Sequence, residues 1–235
     1  MMIQRRRFGV LGFSTASLLL LAQRQAWALS LRDLSDADAS RGLKAALQAG
    51  AVSAIGLLGK PDGFLGNPRV RIQLPGHLED AAKLLKTLGQ GHRVDELVTS
   101  MNRAAESAVP MARDLLVGAV RSMQISDAKK ILSGGDNSVT TFFAEKTRAP
   151  LALKFLPTVT KATEKVGLAD KYNQVAGKAA GLGLVKKEDS NIQQYVTRKS
   201  LDGLYLMIGD EEKKIRHDPV GTGNALLQKV FGSLI

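Results

Sequence analysis

The chain has 235 residues, with 33 basic and 22 acidic side chains for a net charge of +11, and it contains no cysteine. Without cysteine there is no disulfide framework, no thiolate metal ligand and no cysteine nucleophile. Aromatic residues make up only 5% of the chain. Its charges are interspersed, as in Glu211-Glu212-Lys213-Lys214, so the pattern gives no nucleic-acid footprint.

The first 28 residues have the pattern of a cleavable export signal. Arg5, Arg6 and Arg7 form a positive end, an apolar run extends from Phe8 to Leu21, and Ala26-Trp27-Ala28 supplies the small-x-small site of a signal peptidase. The apolar run is too short for a permanent membrane span. Arg5-Arg6-Arg7-Phe8 fits the twin-arginine pattern of two arginines, any residue and a phenylalanine, although Gln4 and Gly9 replace its usual flanking residues. Arg24 stands between the apolar run and the cleavage site, where a positive charge opposes general secretion, so the twin-arginine route to the periplasm is favoured. The signal holds four of the 33 basic residues and no acid, leaving 29 against 22, a net +7, on a mature chain starting at Leu29. Such a surface suits an envelope partner of anionic character, a lipid or a cell-wall polymer, or a periplasmic protein.

Residues 29–40 read as a flexible lead, with Asp36, Asp38 and Ser40 as helix N-cap candidates. Residues 41–235 then read as a single helical domain. Leu43, Leu47, Ala51, Ala54 and Leu58 share one helical face, which Gly59-Lys60-Pro61-Asp62-Gly63 ends. Val70, Ile72 and Leu74 alternate, which predicts a short extended or hairpin segment near residues 64–75. A helix with Leu78, Ala81, Ala82, Leu85 and Leu88 on one face stops at Gly89 and Gly91. A longer one follows from Val94 to Met123, and Pro110 should kink or divide it.

Ser126 reads as the N-cap of a short helix ending at Gly134-Gly135, and Asp136 or Ser138 as the cap of the next. Pro150 reads as the opening of a further helix, with a bend at Pro157. After a glycine-interrupted segment from Leu168 to Leu184, Thr197 is a candidate cap for a helix carrying Leu201, Leu204, Tyr205, Ile208 and Ile215. Asp218-Pro219 closes that helix, and Leu226, Leu227, Val230 and Phe231 mark a last one. The predicted fold is all-α, a compact multi-helix bundle with short loops.

Many short motifs recur here in a fixed order. Gly42-Leu43-Lys44-Ala45-Ala46-Leu47, Asp62-Gly63-Phe64, Asn67-Pro68 and Ile72-Gln73-Leu74-Pro75 precede Met101-Asn102-Arg103-Ala104-Ala105-Glu106. Asp127-Ala128-Lys129-Lys130-Ile131-Leu132, Gly134-Gly135-Asp136, Leu201-Asp202-Gly203-Leu204 and Glu211-Glu212-Lys213-Lys214-Ile215-Arg216 follow. In this order the chain resembles the bacterial domain of unknown function 4197 family, over about residues 41 to 233. The resemblance implies a helical fold and an export signal, and it implies no activity. The chain departs from the family pattern at Gln73 and between Gln174 and Leu184.

Candidate chemistry is sparse. Ser126 and Lys129 have the serine-x-x-lysine spacing that sets a hydroxyl one turn from an amine, so an envelope hydrolase is the alternative reading. The companion motifs of that chemistry are absent. His77, His92 and His217 lack the spacing of a zinc pair, and Asp62 and Asn67 lack the run of oxygen ligands of a calcium loop, so neither metal nor cofactor is expected. The candidate ligand-binding residues are Asn102, Arg103 and Glu106, which lie within about one turn of a helix, and Asp136 at a helix start. The favoured reading is a non-enzymatic binding or interaction module with a groove between helices.

Overall fold

The computed structural model describes residues 36–135 and 137–218. The expected export signal, Asp136 and the expected last helix lie outside the described residues.

Eight α-helices make up most of the described chain. They are α1 (Asp36–Leu58), α2 (Glu79–Thr87), α3 (Gly91–Ala108), α4 (Arg113–Arg121), α5 (Ile125–Ser133), α6 (Ser138–Thr163), α7 (Gly167–Gly181) and α8 (Ile192–His217). Helix α1 begins within the segment expected as a lead and buries Leu43, Leu47, Ala51, Ala54 and Leu58, the stripe the spacing predicts. The two long helices α6 and α8 pack together at the centre. Helix α1 lies against α8 and α4, and α3 against α6 and α8, while α2 and α7 sit at one edge on α3.

One contiguous core joins these helices, and Phe64, Phe143, Phe155, Leu151, Leu201 and Tyr205 are among its largest side chains. Full burial of each such aliphatic or aromatic side chain contributes about 1.5–3 kcal/mol. The assembly is a compact all-α bundle. None of the described helices is long and apolar enough to cross a membrane.

Several boundaries differ from the sequence expectation, each for a local reason. Pro110 does divide the long helix, and it sits in the single 3-10 turn, Val109–Ala112, between α3 and α4. The cap of α5 is Gln124, which forms a reciprocal capping box with Asp127, so Ser126 lies inside the helix. Pro150 does not open a helix, because α6 runs unbroken through Pro150 and Pro157. The carbonyls deprived of an amide partner belong to Lys146 and Leu153, and both residues are exposed. Phe143, Leu151, Phe155 and Val159, fully buried, hold the helix together from its inner face.

Helix α8 starts earlier than Thr197. Asn191 caps it by accepting the Gln194 amide at 3.0 Å, and Thr197 is buried within the helix.

No hairpin forms at residues 64–75. Pro61 to Val70 is a series of turns, followed by an extended run without a strand partner. The alternation that suggested a strand is real, since Val70 and Ile72 are buried while Arg71 and Gln73 are exposed. It comes from the loop docking into the surface of α3 and α8. Phe64 and Val70 approach α8 at Gly203, where an added Cβ would meet Phe64 Cε1 at 2.8 Å. The Tyr195 hydroxyl of α8 donates to the Gln73 carbonyl at 2.9 Å.

Candidate functional site: a polar clamp and an apolar cleft

Asn102, Arg103 and Glu106 come together on α3, and all three face the loop of residues 59–75. Asn102 is fully buried. Its Oδ1 accepts the Ile72 amide at 2.8 Å, and its Nδ2 donates to the Ile72 carbonyl at 2.9 Å and to the Val98 carbonyl at 2.8 Å. The side chain thus bonds to Ile72 as a neighbouring β-strand would. One turn along, Glu106 Oε1 accepts the amides of Phe64 and Leu65, each at 3.0 Å. Its Oε2 receives Arg103 at 2.6 Å, and Arg103 also reaches Asp62 at 2.9 Å.

Among the described residues Asp62 is the one outside glycine with a positive φ, 64°, and its side chain pairs with Arg103. The hydrogen bond that Arg103 donates to Glu106 is the largest cause that raises the Arg103 pKa above its ordinary value. These bonds occupy the polar atoms of Asn102 and the carboxylate of Glu106. The trio is built to fix a loop.

The remaining sequence candidates are dispersed. Ser126 is exposed on the first turn of α5. It lies outside the neighbouring polar cavity of about 610 Å³, which Asp127, Lys130, Ser138, Thr141, Glu145 and Lys146 line. Asp136, expected at a helix start, is outside the described residues. The described residues contain no group of three or more histidine, aspartate or glutamate side chains placed to hold a metal ion.

The loop fixed by the clamp leads directly into the second feature. From Leu74 the chain passes through a 3-10 turn, Gly76–Leu78, into α2, which packs on α3. Between α2, α3 and α7 lies a cleft of about 520 Å³. Leu78, Ala82 and Leu85 form one wall and Val94 and Leu97 of α3 the floor. Leu168, Val175, Ala176 and Ala179 of α7 form the facing wall, with Leu74, Leu184 and Val185 at the ends.

The lining is almost wholly apolar, and Lys171 is the charged residue in it. Tyr172 also lines the cleft, but its hydroxyl is turned to the Asp189 carbonyl. Burial, with the Asp189 carboxylate adding to it, pushes the Tyr172 pKa up to about 12.

Helix α7 is held at a fixed distance by Asn173. That side chain accepts the Ile192 amide at 2.8 Å and donates to Gln193 Oε1 at 2.9 Å, pinning α7 to the first turn of α8. With α7 anchored there and α2 resting on α3, the space between them stays open. The spacing of Leu78, Ala82 and Leu85 pointed to a core face. In the structure Leu85 is only half-covered and Leu88 is 67% exposed. On α7, the apolar series Leu168, Tyr172, Val175, Ala176 and Ala179 carries the same signal of a helical face, within the glycine-interrupted segment from Leu168 to Leu184.

The profile of the family described as protein of unknown function (DUF4197) matches residues 33–232. The chain belongs to the DUF4197 family. No match was found among the curated proteins or among the solved structures. The match spans every described helix of this DUF4197 protein, and with them both the clamp and the cleft.

Proposed function

We propose that this DUF4197 protein is an exported, non-enzymatic module of the periplasm that holds the hydrocarbon chain of an envelope lipid in the α2–α3–α7 cleft. The observation that carries the reading is the cleft itself. Its volume of about 520 Å³ falls in the range of small-molecule sites, roughly 300–1,000 Å³. Its lining offers apolar contact with almost no hydrogen-bonding group, which suits an alkyl chain and excludes a sugar or peptide backbone. Each methylene removed from water gains about 0.8 kcal/mol, so a ten-carbon stretch gains about 8 kcal/mol before the cost of association. Lys171 at the cleft supplies a cation for an anionic head group.

The arginine-led amino terminus supports delivery of this module to the periplasm, by the twin-arginine route. Periplasmic protein that vanishes when the twin-arginine translocase is disabled fits that route, whereas unchanged export points to general secretion.

Native mass spectrometry of the protein purified from the periplasm tests the ligand. The expected result is a co-purifying lipid mass on the wild type that is lost in Ala179→Trp, which fills the cleft, while the circular dichroism stays helical. Wild-type protein without any bound mass overturns the reading.

A further inference from the structure

We propose that the rim of the cleft is a docking surface for an anionic bilayer. The proposal rests on the cleft reading for its purpose, while the docking itself stands on separate observations. Among the described residues, nine large apolar side chains remain exposed; two of them, Val175 and Leu184, line the cleft, and three more, Leu84, Leu88 and Leu182, belong to the segments that frame it. Leu84 on α2 and Leu88 just past its end are 60% and 67% exposed, Val175 on α7 is 66% exposed, and Leu182 and Leu184 just beyond α7 are 77% and 76% exposed. Exposed apolar side chains on the segments that frame one open cleft mark a contact surface.

Two backbone hydrogen bonds close the turn that presents the last two. Gly183 adopts φ +74°, its amide donates to the Ala180 carbonyl at 3.0 Å, and the Leu184 amide donates to the Ala179 carbonyl at 2.9 Å. That paired closure ends the helix and fixes both leucines outward.

The charge around them selects the partner. Lys171, Lys178, Lys186 and Lys187 flank the exposed residues, and none forms an ion pair within the described residues. Within residues 167–189 the exposed acids are Asp170 and Glu188, Glu79 is exposed on α2, and Asp189 is engaged by Arg198. Leucines set among unpaired lysines match a surface with an apolar interior beneath anionic head groups. Docked by this rim, the cleft opens toward the acyl chains.

Vesicle flotation with the full mature protein tests the docking, using vesicles of phosphatidylglycerol and, in parallel, of phosphatidylcholine. The expected result is partition onto phosphatidylglycerol only, weakening with added salt. Each lysine near an anionic surface strengthens partition about fivefold, so Lys186→Glu with Lys187→Glu should weaken it at least about twentyfold. The same charge change at exposed positions elsewhere, Lys60→Glu with Lys213→Glu, should leave most of the partition intact. Leu182→Ser with Leu184→Ser should weaken partition without altering the salt dependence.

Equal binding to both vesicles, or a control pair as damaging as the rim pair, overturns the proposal, as does capture by cell-wall polymer with no vesicle binding. Ala179→Trp separates the two readings. Docking that persists in that variant while lipid cargo disappears supports both. Docking with cargo unchanged removes the cleft reading alone.

Discussion

Replacing Asn102 with alanine tests whether the α3 clamp serves the fold or a ligand. The side chain is fully buried and makes three hydrogen bonds, two of them to the backbone of Ile72. The Val98 carbonyl lies within α3, where a helical amide also reaches it, so its loss matters little. The Ile72 amide and carbonyl have no strand partner, and Ile72 is 2% exposed, so alanine strands two buried polar groups. At about 1–3 kcal/mol for each stranded group, the loss of stability is about 2–6 kcal/mol.

Aspartate is a sharper probe. It keeps an oxygen for the Ile72 amide but aims the other, with its charge, at two carbonyls, so it should destabilise at least as much as alanine. Urea denaturation followed by circular dichroism at the helical signal measures both, with the midpoint falling and the slope unchanged. Asn102→Ala with wild-type stability and impaired lipid binding would refute the structural reading and return Asn102 to the ligand site.

Other outcomes follow from the same geometry. All three tyrosines of the chain, Tyr172, Tyr195 and Tyr205, have pKa values raised chiefly by burial, so the fold prefers their protonated forms. Stability is unaffected below pH 10, the ordinary tyrosine value, and falls as the pH rises from there toward about 12, because the unfolded chain ionises first. Tyrosinate absorbance should therefore appear together with loss of the helical signal, and its appearance near pH 10 in a folded protein would contradict the burial. Gly203→Ala drives a methyl to 2.8 Å from Phe64, so despite the better helix former it should lower stability by about 1 kcal/mol, read as a lower melting temperature. Ser126→Ala removes an exposed hydroxyl and should change stability by less than about 0.5 kcal/mol without affecting turnover of any envelope ester; lost hydrolysis would revive the serine-lysine reading.

Much of the fold was legible because helical periodicity is local. The stripe from Leu43 to Leu58 and the division at Pro110 were both written in residue spacing and backbone chemistry. Pro150 misled because a helix tolerates proline when the freed carbonyl faces water, and which face that is depends on the packing of Phe143, Leu151 and Phe155. Thr197 misled because any hydroxyl before an apolar stripe resembles a cap, and only the fold shows that Asn191 takes that place.

Asn102, Arg103 and Glu106 were found as a group from spacing alone. Their partners, Ile72, Phe64, Leu65 and Asp62, are some 30 to 40 residues away, and no local pattern announces such pairing. The cleft was illegible for a different reason. An apolar stripe reads the same whether its neighbour covers it or stands back from it. The Asn173 bonds that pin α7 to the start of α8, leaving space above Leu97, are a property of three helices together.

The most direct measurement is titration of the mature protein, stripped of bound lipid, with a fluorescent fatty acid whose emission rises in an apolar site. Saturation at one probe per chain in the wild type, abolished in Ala179→Trp at unchanged helicity, is the predicted result. Equal uptake by the wild type and the filled variant, or no saturable uptake, would contradict a lipid-holding cleft.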